Sequence, residues 1–176
     1  GRQRLPSITE PRSMDIHDLI NEIKADPRCE VYPAEPDIPL PEAELPLDLA
    51  RFYAETDGML LYKDDPEQHI EIVGRRDFIP TNRSLYPDEW AETIGDIRRH
   101  WYLIARAAQG QYINIDLTEA RHGECYDNRH NDRYAPAIAH NFTELLALLY
   151  HRQGDIWYWL YKTYRPNGDP HDMPLI

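Results

Sequence analysis

A chain of 176 residues with 31 acidic against 19 basic side chains, a net charge of −12 and 41% apolar residues is expected to fold as one acidic globular domain. Such a charge repels phosphate backbones and anionic membranes and speeds encounter with basic partners, which argues against direct nucleic-acid or membrane binding; its plainest role is a solvated surface. No apolar run nears the roughly 18 residues that span a bilayer, no basic-apolar-small leader opens the chain, and Cys29 and Cys125 lack CxxC spacing. A reducing cytoplasm is therefore expected, although one disulfide is compatible with the count.

Residues 1–13 lack periodicity and are expected to form an N-terminal tail; Gly1 suggests a trimmed or added start, with Met14 a candidate native one. Over 14–26, Ile16, Leu19, Ile20 and Ile23 recur on one helical face, with Ser13 or Asp15 as cap and Pro27 as stop. The proline-rich stretch 31–46, VYPAEPDIPLPEAELP, is predicted to run along the surface as a semi-rigid strap. A second helix follows over 45–58, LPLDLARFYAETDG: Pro46 suits the first turn, Leu49, Phe52 and Tyr53 share a face, and Gly58 is placed to end it in a left-handed conformation. Residues 59–62 and 69–73 read as short strands around the acidic turn KDDPEQ, and 78–80 continue or bend the second of them. Residues 86–99 fit either a short helix or a loop.

WYLIARAA from Trp101 and QYINIDLT from Gln111 predict an antiparallel hairpin, and Tyr112, Ile113, Ile115 and Leu117 place it inside the sheet. Residues 119–134 read as a polar loop with one short strand near Cys125 and Tyr126. Asn141 and Glu144 have the spacing of a capping box before a helix that buries Phe142, Leu145, Leu146, Leu148 and Leu149 and stops at Gly154. The segment IWYWLYKTY offers Trp157, Trp159 and Leu160 for packing as a further helical turn, and 165–176 are expected to be a C-terminal tail. The order predicts a single α+β domain over 14–164, an antiparallel or mixed central sheet flanked by helices from both ends of the chain.

No phosphate loop, GxSxG elbow or HExxH helix occurs. His122, Cys125, Asp127, His130 and Asp132 form the one cluster with ligand chemistry, but a metal needs at least three of them converging at about 2.0 to 2.3 Å, and Arg121, Arg129 and Arg133 oppose a dication. A polar surface loop is the simpler reading. Cys125 as a nucleophile needs a lowered pKa and an oxyanion donor, and His122 alone supplies neither. Glu67, Glu71 and Asp116 have the chemistry for acid–base work, yet so acidic a chain brings carboxylates together by chance. No catalytic residue, cofactor or metal is expected, and a hydrolase built on His122, Cys125 and His130 is the weakest reading. The aromatics point elsewhere, with twelve tyrosines and four tryptophans against three phenylalanines. Tyrosine and tryptophan suit surfaces that become buried on binding. Trp101 and Trp159 fit a core. Tyr62, Tyr86 and Trp90 stand among Asp57, Asp64, Asp65, Glu67, Asp88 and Glu89, an anchor-plus-steering pattern for a basic protein partner; scattered amphipathic surface residues are the alternative.

LPLDLARFYAETDG, WYLIARAAQGQYINIDL and IAHNFTELLALL, in that order over residues 45–149, resemble the ordered motifs of the SUKH superfamily, which includes the yeast cell-wall-synthesis regulators of the Smi/Knr type. Asp57 departs from the asparagine often found at its position. The resemblance implies an α+β fold without catalysis. It also implies an immunity protein that binds and neutralises a polymorphic or contact-dependent bacterial toxin, or a regulatory adaptor binding a cellular protein. Partner choice is then expected in the strap before Leu45 and the loop 121–134.

Overall fold

A computed structural model describes residues 14–85, 100–108, 110–127 and 137–152. Helix α1, Ile16–Lys24, starts where Asp15 Oδ1 accepts the His17 N–H at 2.7 Å and buries Ile16, Leu19, Ile20 and Ile23, the periodic positions. The proline-rich stretch departs from expectation at its first residues: Glu30–Pro33 form strand β1 rather than a surface strap. Val31 packs against the core and Pro33 sits at the end of an edge strand beyond a register shift, where a missing N–H breaks no ladder bond.

Helix α2, Leu47–Glu55, buries Leu49, Phe52 and Tyr53 as its spacing predicts, but it does not run to Gly58. Thr56 is already extended, and strand β2, Thr56–Leu61, carries Gly58 inside it at φ +89°. The glycine serves a close crossing with the next strand rather than a helix terminus.

Strand β3, Ile70–Ile72, and a 3-10 turn, Arg75–Asp77, lead to the five-residue helix α3, Thr81–Leu85. Strands β4, Trp101–Ala107, and β5, Tyr112–Asp116, make the predicted hairpin, followed by β6, Cys125–Asp127, and helix α4, Phe142–His151. Asn141 caps α4 by accepting the Glu144 N–H at 2.8 Å, while Glu144 reaches back to the His140 N–H at 3.2 Å. The expected reciprocal cap thus closes one residue early. Among the described residues six strands pair antiparallel in chain order, β1 to β6, so the β4–β5 hairpin is interior to the sheet. The fold is α+β, a six-strand antiparallel sheet with helices from both halves of the chain.

Alternation along the strands separates two faces. Met59, Leu61, Ile70, Ile72, Ile113 and Ile115 are buried in one cluster with the apolar faces of α1, α2 and α4. Phe52 meets Phe142 edge-on at 4.7 Å, and Asp48 at the start of α2 accepts the Thr143 N–H and hydroxyl at 2.9 and 2.7 Å, which fastens α4 to α2. On the opposite face Trp101, as expected for a core residue, stacks on Tyr126 at 5.0 Å in a smaller cluster with Ala137. The readings for residues 86–99 and 153–164, Trp159 included, lie outside the described residues.

Candidate partner-binding surface

The sequence nominates the β2–β3 turn, and its residues divide by role. Asp65 Oδ1 accepts the Glu67 and Gln68 N–H groups at 2.9 and 3.0 Å, so this carboxylate shapes the turn. Asp64 and Glu67 are exposed on it. Asp57 is half-buried and accepts the Arg75 N–H at 2.8 Å, while the Arg75 guanidinium donates to the Ile38 and Tyr53 carbonyls, both at 2.9 Å. Asp57 therefore orders the 3-10 turn. Tyr86, Asp88, Glu89 and Trp90 lie outside the described residues.

Tyr62 is not the surface anchor its acidic neighbours suggest, for it is only 8% exposed. Among the described residues it is the one non-glycine with positive φ, 54°. That bend folds its ring onto Tyr150, with centroids 6.3 Å apart, and its hydroxyl donates to the Tyr150 carbonyl. The Arg28 guanidinium lies 5.3 Å from the Tyr62 ring centroid and forks onto Asp26, with Nε to Oδ1 at 3.0 Å and Nη2 to Oδ2 at 2.7 Å. The Tyr150 hydroxyl donates to the same Oδ2 at 2.8 Å. The cluster ties the end of α1, the approach to β1, the end of β2 and the end of α4 together. Burial pushes the Tyr62 hydroxyl up to about 12, with the Cys29 thiol adding to the rise.

Hydrogen bonds from the Arg28 side chain outweigh burial and hold Asp26 well below the ordinary carboxylate range. A depressed folded-state pKa adds stability that is present above the unfolded pKa and lost as pH falls towards the folded one. Asp26→Asn is therefore expected to lower the urea midpoint at neutral pH, and the gap to the parent should narrow below about pH 4. A gap that stays constant from pH 7 to pH 2.5 would show that the Asp26 charge does not stabilise the fold.

The polar cluster of the 119–134 loop shows no catalytic arrangement among the described residues. Cys125 is fully buried, its thiol raised well above the usual value by burial, and it donates to the Gly123 carbonyl at 3.4 Å. This is the setting of a structural thiol. Asp127 is buried as well, and His130 and Asp132 lie outside the described residues. Asp116 is buried under Trp101 Nε1 at 3.0 Å and the Thr118 N–H at 2.8 Å, one strand beyond β4 from Glu71.

Sequence reasoning missed the opposite face of the sheet. Glu30, Leu60, Glu71, Arg106 and Tyr112 are successive cross-strand partners from β1 to β5, so their side chains share one face. Arg106 forks onto Glu71 at 3.2 and 3.1 Å and reaches Asp77 at 3.1 Å. These three side chains keep 41%, 37% and 49% of their surface in solvent, so this part of the face is open. Tyr32, two residues from Glu30 along β1, falls on the same surface; burial, then the charges of Glu30 and Glu71, raise its hydroxyl pKa. The signal was available in IEI, residues 70–72, where a carboxylate between two isoleucines marks a wet face of period two.

Compared with known proteins, the model of the SMI1 / KNR4 family (SUKH-1) matches residues 42–148. Immunity protein YokJ of Bacillus subtilis (strain 168) is 32% identical over 166 residues, covering 90% of this chain and 97% of that protein. No solved structure matches the chain.

Proposed function

Because the chain belongs to the SMI1 / KNR4 family (SUKH-1), we propose that it is an immunity protein, a non-catalytic cytoplasmic binder that holds a protein toxin inactive by covering its working surface. The observation that carries this reading is the similarity to an immunity protein along 90% of this chain and 97% of the relative, which leaves little room for a different architecture around a shared motif. The net charge of −12 supports a basic partner surface. Toxins that act on nucleic acid need basic clefts, and an acidic inhibitor meets them with complementary potential and fast encounter. Asp64 and Glu67, on a turn that Asp65 rigidifies, supply acidic contacts in this proposal, joined by Tyr86, Asp88, Glu89 and Trp90. Tyr62 anchors the start of that turn through its buried contacts with Tyr150 and Arg28, and Asp57 orders the 3-10 turn.

Co-expression with a candidate toxin domain encoded by a neighbouring gene tests the proposal. Growth is expected to be restored, and the purified pair is expected to associate about tenfold or more slowly when ionic strength rises from 50 to 500 mM. Asp64→Lys with Glu67→Lys should slow association further while leaving the fold intact. A toxin that still kills in the presence of this protein sinks the immunity reading. Recovery of a cellular enzyme in its place points to the regulatory adaptor.

A further inference from the structure

We propose that the open face of the sheet from β1 to β5, built on Glu30, Tyr32, Leu60, Glu71, Asp77 and Tyr112, is a docking surface for a basic, arginine- or lysine-bearing segment of a protein partner. The identity of that partner as a toxin rests on the immunity reading; the surface and its chemistry stand on geometry.

An antiparallel sheet with one wet face is ordinary. Solubility alone is met by a wet face of mixed polar and charged side chains. This one carries two tyrosines and a leucine, all half-buried, around an exposed network of charges. Tyrosine with interspersed charge is the composition of surfaces that exchange water for a partner. The charge on the face is unbalanced, since Glu30, Glu71 and Asp77 outnumber Arg106. The adjoining β2–β3 turn extends the imbalance with Asp64, Asp65 and Glu67 against Lys63. Arg75 and Arg76, in the 3-10 turn beside Asp77, are further cations near this surface, and the Arg75 guanidinium is taken up by the Ile38 and Tyr53 carbonyls. The field attracts positive charge.

Geometry favours docking on the face over pairing along the edge. The outer strand β1 has four residues, a register shift and a terminal proline, devices that discourage strand addition. The face is held by ladder hydrogen bonds on neighbouring strands, so little ordering entropy is lost on binding. Arg106 already fixes the Glu71 and Asp77 carboxylates at 3.1 to 3.2 Å, and each retains lone pairs for an incoming guanidinium or ammonium. Tyr32, half-buried on the edge strand, offers a ring face on which the aliphatic stem and cation of an arginine can lie.

Two measurements test the proposal. In the first, the full chain labelled with nitrogen-15 is titrated with an octa-arginine peptide. Amide shifts concentrated at Glu30, Tyr32, Leu60, Glu71 and Arg106 support the docking face; shifts spread evenly over the acidic surface, or confined to the β2–β3 turn, overturn it. In the second, affinity for the adjacent-gene toxin is compared for the parent, Glu30→Lys, and Glu30→Lys with Tyr32→Ala. Glu30→Lys alone guards against misfolding of the double variant, because Glu30 is exposed. Losses of about tenfold and a hundredfold or more are expected, against a change mainly in association rate for Asp64→Lys. If the parent neutralises the toxin and both face variants do so equally well, the face is wrong and the immunity reading stands. If the parent fails to neutralise but octa-arginine maps to the face, the docking surface is supported and the toxin is not its partner.

Discussion

Gly58→Ala is expected to destabilise the protein by about 3 to 5 kcal/mol, whereas Gly110→Ala should cost about 1 to 2 kcal/mol. Both glycines have positive φ, +89° and +81°, so both substitutions meet the same left-handed penalty. They differ in what surrounds the added carbon. At Gly110 it meets nothing within 4 Å. At Gly58 it would stand 2.3 Å from the Ile72 carbonyl oxygen and 2.9 Å from both the Gly74 nitrogen and the Val73 carbonyl carbon. All three are backbone atoms, so no side chain can swing aside; β2 and β3 would have to separate. Separation would also disturb the bond from the Arg75 N–H to Asp57. Urea midpoints of the two variants measure the difference directly. Equal midpoints would mean that the strands are not this close.

The other large effect is expected at the joint between α2 and α4. Phe142→Ala should cost about 3 to 5 kcal/mol, and Phe142→Leu about 1 to 2 kcal/mol, because leucine refills most of the space. Phe142 is fully buried and meets Phe52 edge-on at 4.7 Å, and Phe52 in turn meets Tyr53 at 5.1 Å. Alanine leaves a cavity beside rings that α2 holds in place. They cannot collapse into it without moving α4, which Asp48 also pins through Thr143. Equilibrium urea unfolding checks both variants. A loss below about 1 kcal/mol for Phe142→Ala would show that α4 does not close the core as described.

Much of the helical structure was legible because its signals are local. Asp15 before an apolar stripe, Leu49 with Phe52 and Tyr53, and Asn141 followed by Glu144 each act within one or two turns of chain. The β4–β5 hairpin was legible for the same reason, two apolar strands meeting at a short turn. Gly58 was misread because a glycine after a helix and a glycine at a strand crossing look alike from one side. The carbonyl that requires it, at Ile72, is fourteen residues away along the chain. Val31 and Pro33 were read as strap because proline marks irregular chain, and only the position of β1 at the sheet edge makes a proline harmless there.

The candidate site followed the same division. The sequence by itself determined the charge, the family motifs and the turn that carries Asp64 and Glu67, since composition and short-range order are written along the chain. Only the tertiary structure decided that Tyr62 is a buried clamp on Tyr150 and Arg28, and that Glu30, Tyr32, Glu71 and Tyr112 share one open face. Those relations join residues from three strands, two connecting segments and the end of a helix. A side chain's exposure depends on what stands opposite it, and strand pairing brings that neighbour from elsewhere in the sequence.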